Sequence, residues 1–316
     1  MSSKAQIFID GEVGTTGLEI RDRLLPRDDL KLIQLDESVR KDANARRDAL
    51  AAADIAILCL PDDAAREAAA WAQETNTRLI DASTAHRVVD GWVYGFPELD
   101  KEQRARIAAA ECVTNPGCYA LSSVALLHPL TSSGLLPADY PVSIFGISGY
   151  SGGGKGLICR FEDQTQDDAI TDTVQLYALG LGHKHLPEIQ KYGGLKRLPV
   201  FAPHRAAYYR GMLVEIGIDL STLPNAGGPG ALWECLSAHY EGERFVTVSH
   251  AENPEALGPE GKNATNGLAL HVFSNIEDGQ ALLVAQLDNL GKGASGQAVQ
   301  SLNLMLGEDE ATGLLR

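Results

Sequence analysis

Short apolar runs alternate with longer amphipathic segments over the first third of the chain. Ile7–Asp10, Lys31–Leu35, Ile55–Leu60 and Leu79–Asp81 read as strands. Between them, Thr16–Leu25, Arg40–Ala53 and the alanine-rich Asp62–Thr75 read as helices, the last with acidic residues in its first turn, where the helix dipole favours them. Strands that are apolar on both faces and alternate with helices indicate a parallel sheet covered on both sides. Val88–Val93 predicts a tight hairpin, because Asp90-Gly91 suits a type I′ turn. Val113-Thr114 ends a further apolar run, Asn115-Pro116-Gly117 turns the backbone, and Tyr119-Ala120-Leu121 opens a helical pattern running to about Leu130.

Past residue 118 the pattern changes. Val142–Ser148 reads as a strand, and Pro199–His204, Gly211–Leu220, Leu268–Phe273 and Ala281–Leu287 alternate like antiparallel strands. A helix near Ala231–Tyr240 and a strand at Phe245–Val248 lie between them, Ala251–Thr265 reads as an exposed loop, and an apolar-faced helix ends near Leu306. This predicts an α+β region with an open sheet face available for dimer packing.

At 316 residues the chain is long enough for two domains with full-sized cores. A formal charge of −15 repels phosphate backbones and anionic lipid, so nucleic acid and membrane surfaces are not expected as partners. No apolar run approaches the roughly 18 residues of a membrane span. The first residues pass straight into Ile7-Phe8-Ile9, leaving no room for a signal peptide. The five cysteines are odd in number and lack Cys-x-x-Cys spacing, against both a disulfide framework and a zinc site. A reducing cytoplasm is the expected compartment.

Chemistry concentrates in a few motifs. Gly11-Glu-Val-Gly14-Thr15-Thr16-Gly17 follows the first strand and opens a helix, where backbone N–H groups and the helix dipole receive a pyrophosphate. After the second strand, Asp36-Glu37 suits the ribose hydroxyls of NAD, whereas Ser38, Arg40 and Lys41 suit the 2′-phosphate of NADP. Cys118 stands where a turn becomes a helix, and unpaired N–H groups there favour its thiolate, the form that attacks carbonyl carbon. Gly149–Gly156 satisfies G-x-x-x-x-G-K with Lys155, but Gly156 replaces the Ser or Thr that a P-loop uses for Mg²⁺, so it reads as an anion-friendly substrate loop. His183 and His185 precede a Pro187-started helix without a third metal ligand nearby, which points to acid/base work. Asn289-Leu290-Gly291-Lys292-Gly293 leads into the final helix, a second candidate anion or cofactor contact.

Taken together, Asp10–Gly17, Asp81–Arg87, Gly91–Leu99, Asn115–Tyr119, Ser148–Lys155, His183–Ile189, Arg210–Met212 and Asn289–Ala298 resemble the short form of the N-acetyl-γ-glutamyl-phosphate reductase family, in order and over nearly the whole chain. The resemblance implies an α/β protein with a Rossmann-type doubly wound parallel sheet, residues 1–117 and 290–316. An α+β catalytic and oligomerisation domain with a largely antiparallel sheet is inserted at 118–289. It implies an NADP(H)-linked enzyme of arginine biosynthesis acting on an acyl phosphate as a homodimer or homotetramer, with no metal. Cys118 would be the nucleophile, with His183 and His185 as acid/base. Gly11, Gly14, Thr15, Thr16, Gly17, Ser38, Arg40, Lys41, Asn289, Gly291 and Lys292 would hold the cofactor. Ser83, Arg87, Asn115, Ser148, Ser151, Lys155 and Arg210 would hold the substrate. Alternatives from the residues alone are an aspartyl or aminoadipyl phosphate as substrate, or a dinucleotide-binding regulator without catalysis.

Overall fold

The computed structural model describes residues 4–223, 228–249, 254–275 and 277–316. The chain divides into two compact units, one of residues 1–97, 101–116 and 294–315, the other of 98–100, 117–293 and 316.

In the first unit β1 (Ala5–Asp10), α1 (Thr15–Leu24), β2 (Leu30–Ile33), α2 (Ala43–Ala51), β3 (Ile55–Leu58), α3 (Asp62–Ala72) and β4 (Arg78–Asp81) follow the expected alternation. β5 (Val93–Tyr94), α4 (Gln103–Ala109) and β6 (Cys112–Thr114) complete it. All strand pairings are parallel, in the order β2-β1-β3-β4-β6-β5. β3 is buried along its whole length because it has neighbours on both edges and helices on both faces. α2 begins at Ala43 rather than Arg40 because the Asp42 carboxylate caps it, accepting from the Ala45 N–H at 2.8 Å.

The second unit contains α5 (Cys118–Ser132), β7 (Ser143–Gly149), α6 (Gly154–Glu162), β8 (Val174–Leu176), α7 (Leu186–Tyr192), β9 (Val200–Ala206), β10 (Met212–Asp219), α8 (Pro229–His239), β11 (Val246–Ser249), β12 (Leu268–Asn275) and β13 (Gln280–Leu287). Its seven-stranded sheet runs β11-β12-β13-β10-β7-β9-β8. Four of the six pairings are antiparallel; β7 with β9 and β11 with β12 are parallel. α5 is buried nearly all round, and its Ser122 and Ser123 hydroxyls donate back to the carbonyls of Cys118 and Tyr119. The opposite sheet face leaves Phe145, Val200 and Leu282 exposed. The last helix, α9 (Gly296–Leu306), belongs to the first unit and packs on α1, α4 and β4.

Two local expectations are corrected. Val88–Val93 is not a hairpin: Gly91 does turn the chain at φ 88°, but Val93–Tyr94 pair in parallel with β6. The preceding loop is instead held by His86, whose ring stacks on Trp92 at 4.1 Å. Gly149–Gly156 is not a loop but a tight 3-10 turn leading into α6, closed by Tyr150 stacking on Phe161 at 4.9 Å and donating to Glu162 at 3.0 Å. Residues 254–265 of the expected long loop are largely exposed turns; 250–253 lie outside the described residues. Among the described residues no helix is long and apolar enough to cross a membrane.

One buried charge pair stands out in the second unit. Lys292 is wholly buried, and its ammonium donates to both oxygens of the buried Glu98 at 2.8 and 3.0 Å. Phe245 lies 5.5 Å from the ammonium. Removing one partner strands the other charge in the interior, so Lys292→Met is expected to lower stability by about 3–5 kcal/mol. Lys292→Met combined with Glu98→Leu should recover most of that loss. Urea unfolding of the parent, both single variants and the double variant measures the cycle; additive losses would contradict it.

Candidate active site

Cys118 is the first residue of α5, and the turn before it is held from both ends. The Asn115 N–H donates to the Asp81 carbonyl at 2.7 Å, and the Gly117 N–H donates to Glu188 Oε1 at 2.9 Å. Glu188 is only 1 % exposed and sits in the first turn of α7. Tyr119 packs its ring against His183, His185 and Phe201 at 6.0, 6.1 and 5.2 Å, and its hydroxyl donates to the His204 carbonyl at 2.7 Å. The rings of His183 and His185 meet edge-on at 4.7 Å. His183 Nδ1 accepts the His185 backbone N–H at 3.1 Å, which assigns the proton of the neutral ring to Nε2. That nitrogen lies 3.3 Å from the Tyr177 hydroxyl.

Tyr177 was not anticipated from the sequence. Burial first, and then the charge of an ionised Cys118, hold its phenol well above the ordinary range, so it remains a hydroxyl. The Arg205 guanidinium stands over its ring at 5.6 Å and donates to Gln175. The fold thus brings Tyr119, next to the expected thiol, onto both expected histidines, and adds Tyr177, Glu188 and Arg205. Glu188 had a visible signal, as an acid in the first turn of a Pro-started helix; Tyr177 had none.

The remaining thiols differ in kind. All five cysteines are free. Burial, then the carboxylates of Asp81 and Asp10, push Cys59 up to about 12; burial, then Glu111, push Cys112 up to about 11. Cys159 is exposed.

A second polar group in the same unit gathers four expected residues. Asn289 Oδ1 accepts the Gly211 N–H at 2.8 Å, and its Nδ2 donates to Ser151 Oγ at 2.9 Å. Ser148, 4 % exposed, donates to the Gly149 carbonyl. Arg210 pairs with the buried Asp288 at 3.2 Å and lies over Tyr209. Lys155 is in the exposed first turn of α6. Gly291 and Lys292, expected to face a cofactor, are buried inside this unit, where the Lys292 ammonium is occupied by Glu98. A side chain matched by a carboxylate 194 positions away cannot be recognised from local pattern.

In the first unit, β1 runs into the glycine loop. Gly11 has φ 87°, and a Cβ there would fall 2.4 Å from the Cys59 carbonyl, so only glycine is accommodated. Gly14 caps α1, Thr15 and Thr16 form its first turn, and Gly17 is buried within it. The Thr15 hydroxyl is buried with no partner among the described residues. Beside the loop lies a cavity of about 240 Å³ lined in part by Gly11, Val13, Leu35, Arg40, Lys41 and Arg46. Arg40 pairs with Glu37 at 3.0 Å, and Ser38 is exposed on the same turn. Arg46, not anticipated, clamps Asp10 with contacts of 2.9–3.2 Å and lies over Trp71. At the ends of β4 and β6, the fully buried Asp81 accepts from Ser83 N–H, Ser83 Oγ and His86 at 2.8, 2.7 and 2.6 Å. Arg87 is 8 % exposed and reaches the Ala82 carbonyl, while Asn115 Nδ2 donates to the Ala294 carbonyl. Among the described residues no group of three or more His, Cys, Asp or Glu side chains is placed to hold a metal.

Residues 118–289 match the family description "semialdehyde dehydrogenase, dimerisation domain", and residues 15–107 match "semialdehyde dehydrogenase, NAD binding domain". Aspartate semialdehyde dehydrogenase II from Vibrio cholerae superposes with a TM-score of 0.75 at 16% identity, over 96% of this chain and 99% of that one. The Candida albicans aspartate semialdehyde dehydrogenase with NADP gives 0.68 at 13% identity, over 96% and 98%. Fold and paired domains define an NAD(P)-dependent oxidoreductase of the semialdehyde dehydrogenase class. The more similar sequences narrow the class. "N-acetyl-gamma-glutamyl-phosphate reductase 2" of Pseudomonas putida is 51% identical over 310 residues, 97% of this chain and 98% of that protein. The N-acetyl-gamma-glutamyl-phosphate reductase of Brucella suis is 50% identical over 309 residues, 96% of this chain and 100% of that protein. The chain belongs to the N-acetyl-gamma-glutamyl-phosphate reductase family.

The thiol environments make a labelling order testable. At pH 8 the thiolate fractions of Cys59 and Cys112 are on the order of 10⁻⁴ and 10⁻³. Iodoacetamide at that pH is expected to modify Cys118 and Cys159 first and to leave Cys59 and Cys112 intact. Peptide mass spectrometry over a time course reads the order, and Cys59 reacting as fast as Cys118 would contradict it.

Proposed function

We propose that this protein reduces N-acetyl-γ-glutamyl phosphate to N-acetylglutamate 5-semialdehyde with release of phosphate, in cytoplasmic arginine biosynthesis, with Cys118 as the nucleophile. The observation that supports this most is a thiol in the first turn of a buried helix whose next residue, Tyr119, packs against His183 and His185, with Tyr177 close enough to feel the thiolate charge. The thiolate attacks the γ-acyl carbon, the C–O bond to phosphate breaks, and a thioester forms. NADPH, when bound, supplies the hydride that reduces this thioester. The C–S bond of the resulting thiohemiacetal then breaks to release aldehyde, regenerating the thiolate while the histidine pair manages the oxygen's proton. Tyr177, as a phenol, accepts from His183 Nε2 and holds that ring in place.

The first unit fits a dinucleotide. Gly11–Gly17 opens α1 as a pyrophosphate cradle, the orphaned Thr15 hydroxyl suits a phosphate oxygen, and Arg40, Lys41 and Arg46 supply positive charge beside the adjoining cavity. We assign the 2′-phosphate to Ser38, Arg40 and Lys41. Gly291 and Lys292 serve the buried pair with Glu98 rather than the cofactor, and Asn289 braces Ser151 and Gly211. Ser148, Ser151 and Arg210, with Ser83, Arg87, Asn115 and Lys155, remain the substrate and phosphate candidates, Arg by bidentate pairing. The exposed apolar sheet face at Phe145, Val200 and Leu282 is assigned to a homodimer contact, in keeping with the dimerisation-domain description.

Phosphate-dependent reduction of NADP⁺ by N-acetylglutamate semialdehyde tests the reaction. Aspartate semialdehyde as the better substrate would overturn the substrate assignment. Cys118→Ser is expected to abolish turnover with fold and NADP⁺ binding retained, because a hydroxyl is far less acidic than a thiol. One of His183→Asn and His185→Asn is expected to cut kcat by ~10²–10⁴-fold, the range for a general acid or base. The other should mainly raise KM. Wild-type kcat in both single variants and in the double variant would remove the pair from the mechanism.

Cofactor choice has its own test. Losing charge-assisted contacts of roughly 1.5–3 kcal/mol, Arg40→Ala with Lys41→Ala should weaken NADPH on the order of tenfold to a hundredfold. NADH binding should hardly change. Equal weakening of both nucleotides, measured by fluorescence titration, would show that these side chains do not read the 2′-phosphate.

A further inference from the structure

Gly293 lies in the wide turn Gly291–Ser295 ahead of α9, and its backbone packs on the first residue of α5. A Cβ built on Gly293 would stand 2.8 Å from the Cβ of Cys118, 3.0 Å from Leu287 Cδ1 and 3.2 Å from the Asp288 carbonyl oxygen. The nearest of these is not the free end of a long side chain. The Cβ of Cys118 is fixed by the backbone of α5, and the N–H before it is tied to Glu188. Gly293 is fixed from the other side: its N–H donates to the Asp288 carbonyl at 3.0 Å, and the adjacent Lys292 is anchored to Glu98. Two held backbones therefore meet at the Cys118 Cβ with no room for a methyl group.

A backbone wall so close to Cβ closes one sector of the side chain's rotation and directs the sulfur into what remains. We propose that Gly293 is a positioning residue for the Cys118 thiol, and that the buried Lys292–Glu98 pair holds it in that position. This rests on Cys118 being the nucleophile. The energetics of the pair agree: a buried ion pair adds little net stability over apolar side chains of the same shape, whereas it specifies one geometry for two distant segments.

The test compares Gly293→Ala with Cys118→Ser and with Gly230→Ala, whose Cβ would meet open space. Steady-state kinetics, NADP⁺ titration, circular dichroism and iodoacetamide alkylation at Cys118 are read together, with the exposed Cys159 as internal reference. Gly293→Ala is expected to lower kcat by ~10²-fold, as for a misplacement of about 1 Å, with KM and NADP⁺ affinity within about threefold. Its Cys118 alkylation rate should shift by about tenfold while Cys159 is unaffected. A folded Gly293→Ala protein with parental kcat overturns the proposal. So does one whose stability and kcat fall while Cys118 alkylation is unchanged, since that is packing damage alone. If Gly293→Ala does not fold, Lys292→Met with Glu98→Leu decides: an altered Cys118 alkylation rate supports the proposal and a parental rate overturns it. Turnover by Cys118→Ser would instead remove the nucleophile assignment, a failure read separately from that of Gly293.

Discussion

The N–H of Gly117 donates to a carboxylate that has almost no contact with water. A buried carboxylate is costly unless its lone pairs are met, and a backbone N–H just ahead of a helix is a strong partner for it. Glu188 gains that partner, and α5 gains a fixed starting point. Because Glu188 belongs to the first turn of α7, the same bond ties the thiol at the head of one helix to the segment carrying His183 and His185 at the head of another. The Gly117–Glu188 hydrogen bond and the Tyr119 ring thus both tie the segment of the nucleophile to that of the histidines.

Around that tie, the protein separates its thiols by environment rather than by distance along the chain. Cys59 directly follows β3 and Cys112 opens β6, where desolvation and nearby carboxylates disfavour the thiolate. Cys118 sits at the start of a helix, where the first N–H groups lack intrahelical partners and the dipole is positive. The carboxylate nearest its backbone is already engaged with Gly117. Tyr177 complements this arrangement, since a phenol kept protonated by burial can donate a hydrogen bond but cannot compete as an anion.

What was legible in the sequence follows from the range of the forces involved. β3 and β1 were visible because a strand covered on both faces must be apolar throughout, and the glycine loop was visible because Gly11 has to adopt a positive φ against the Cys59 carbonyl. Cys118 and the two histidines were legible from turn chemistry and from family resemblance. Residues that act through a distant partner were not. Lys292 reads as a cofactor contact beside a glycine turn until Glu98 is brought to it, and Arg46 looks like one charge among several on α2 until Asp10 lies beneath it. The Asp90-Gly91 turn was correctly located, yet its local preference was overruled by the parallel pairing of Val93–Tyr94 with β6.

The final helix extends the same point. Its sequence suggests one apolar face, yet Gln297, Gln300, Ser301 and Asn303 are all wholly buried. Buried polar groups of this kind are costly unless they find partners. Gln300 donates to Glu310, and Asn303 donates to the carbonyls of Glu310 and Thr312 while accepting from Arg27. Arg104 holds Glu310 in turn. The residues after α9 therefore fold back to meet Gln300 and Asn303, while Gln297 and the Ser301 hydroxyl are buried with no partner among the described residues. Within the second unit, a turn anchored by Glu98 and by the Asp288 carbonyl has little freedom to retreat from the thiol, which is the mechanical reason a single methyl group at position 293 should register at Cys118.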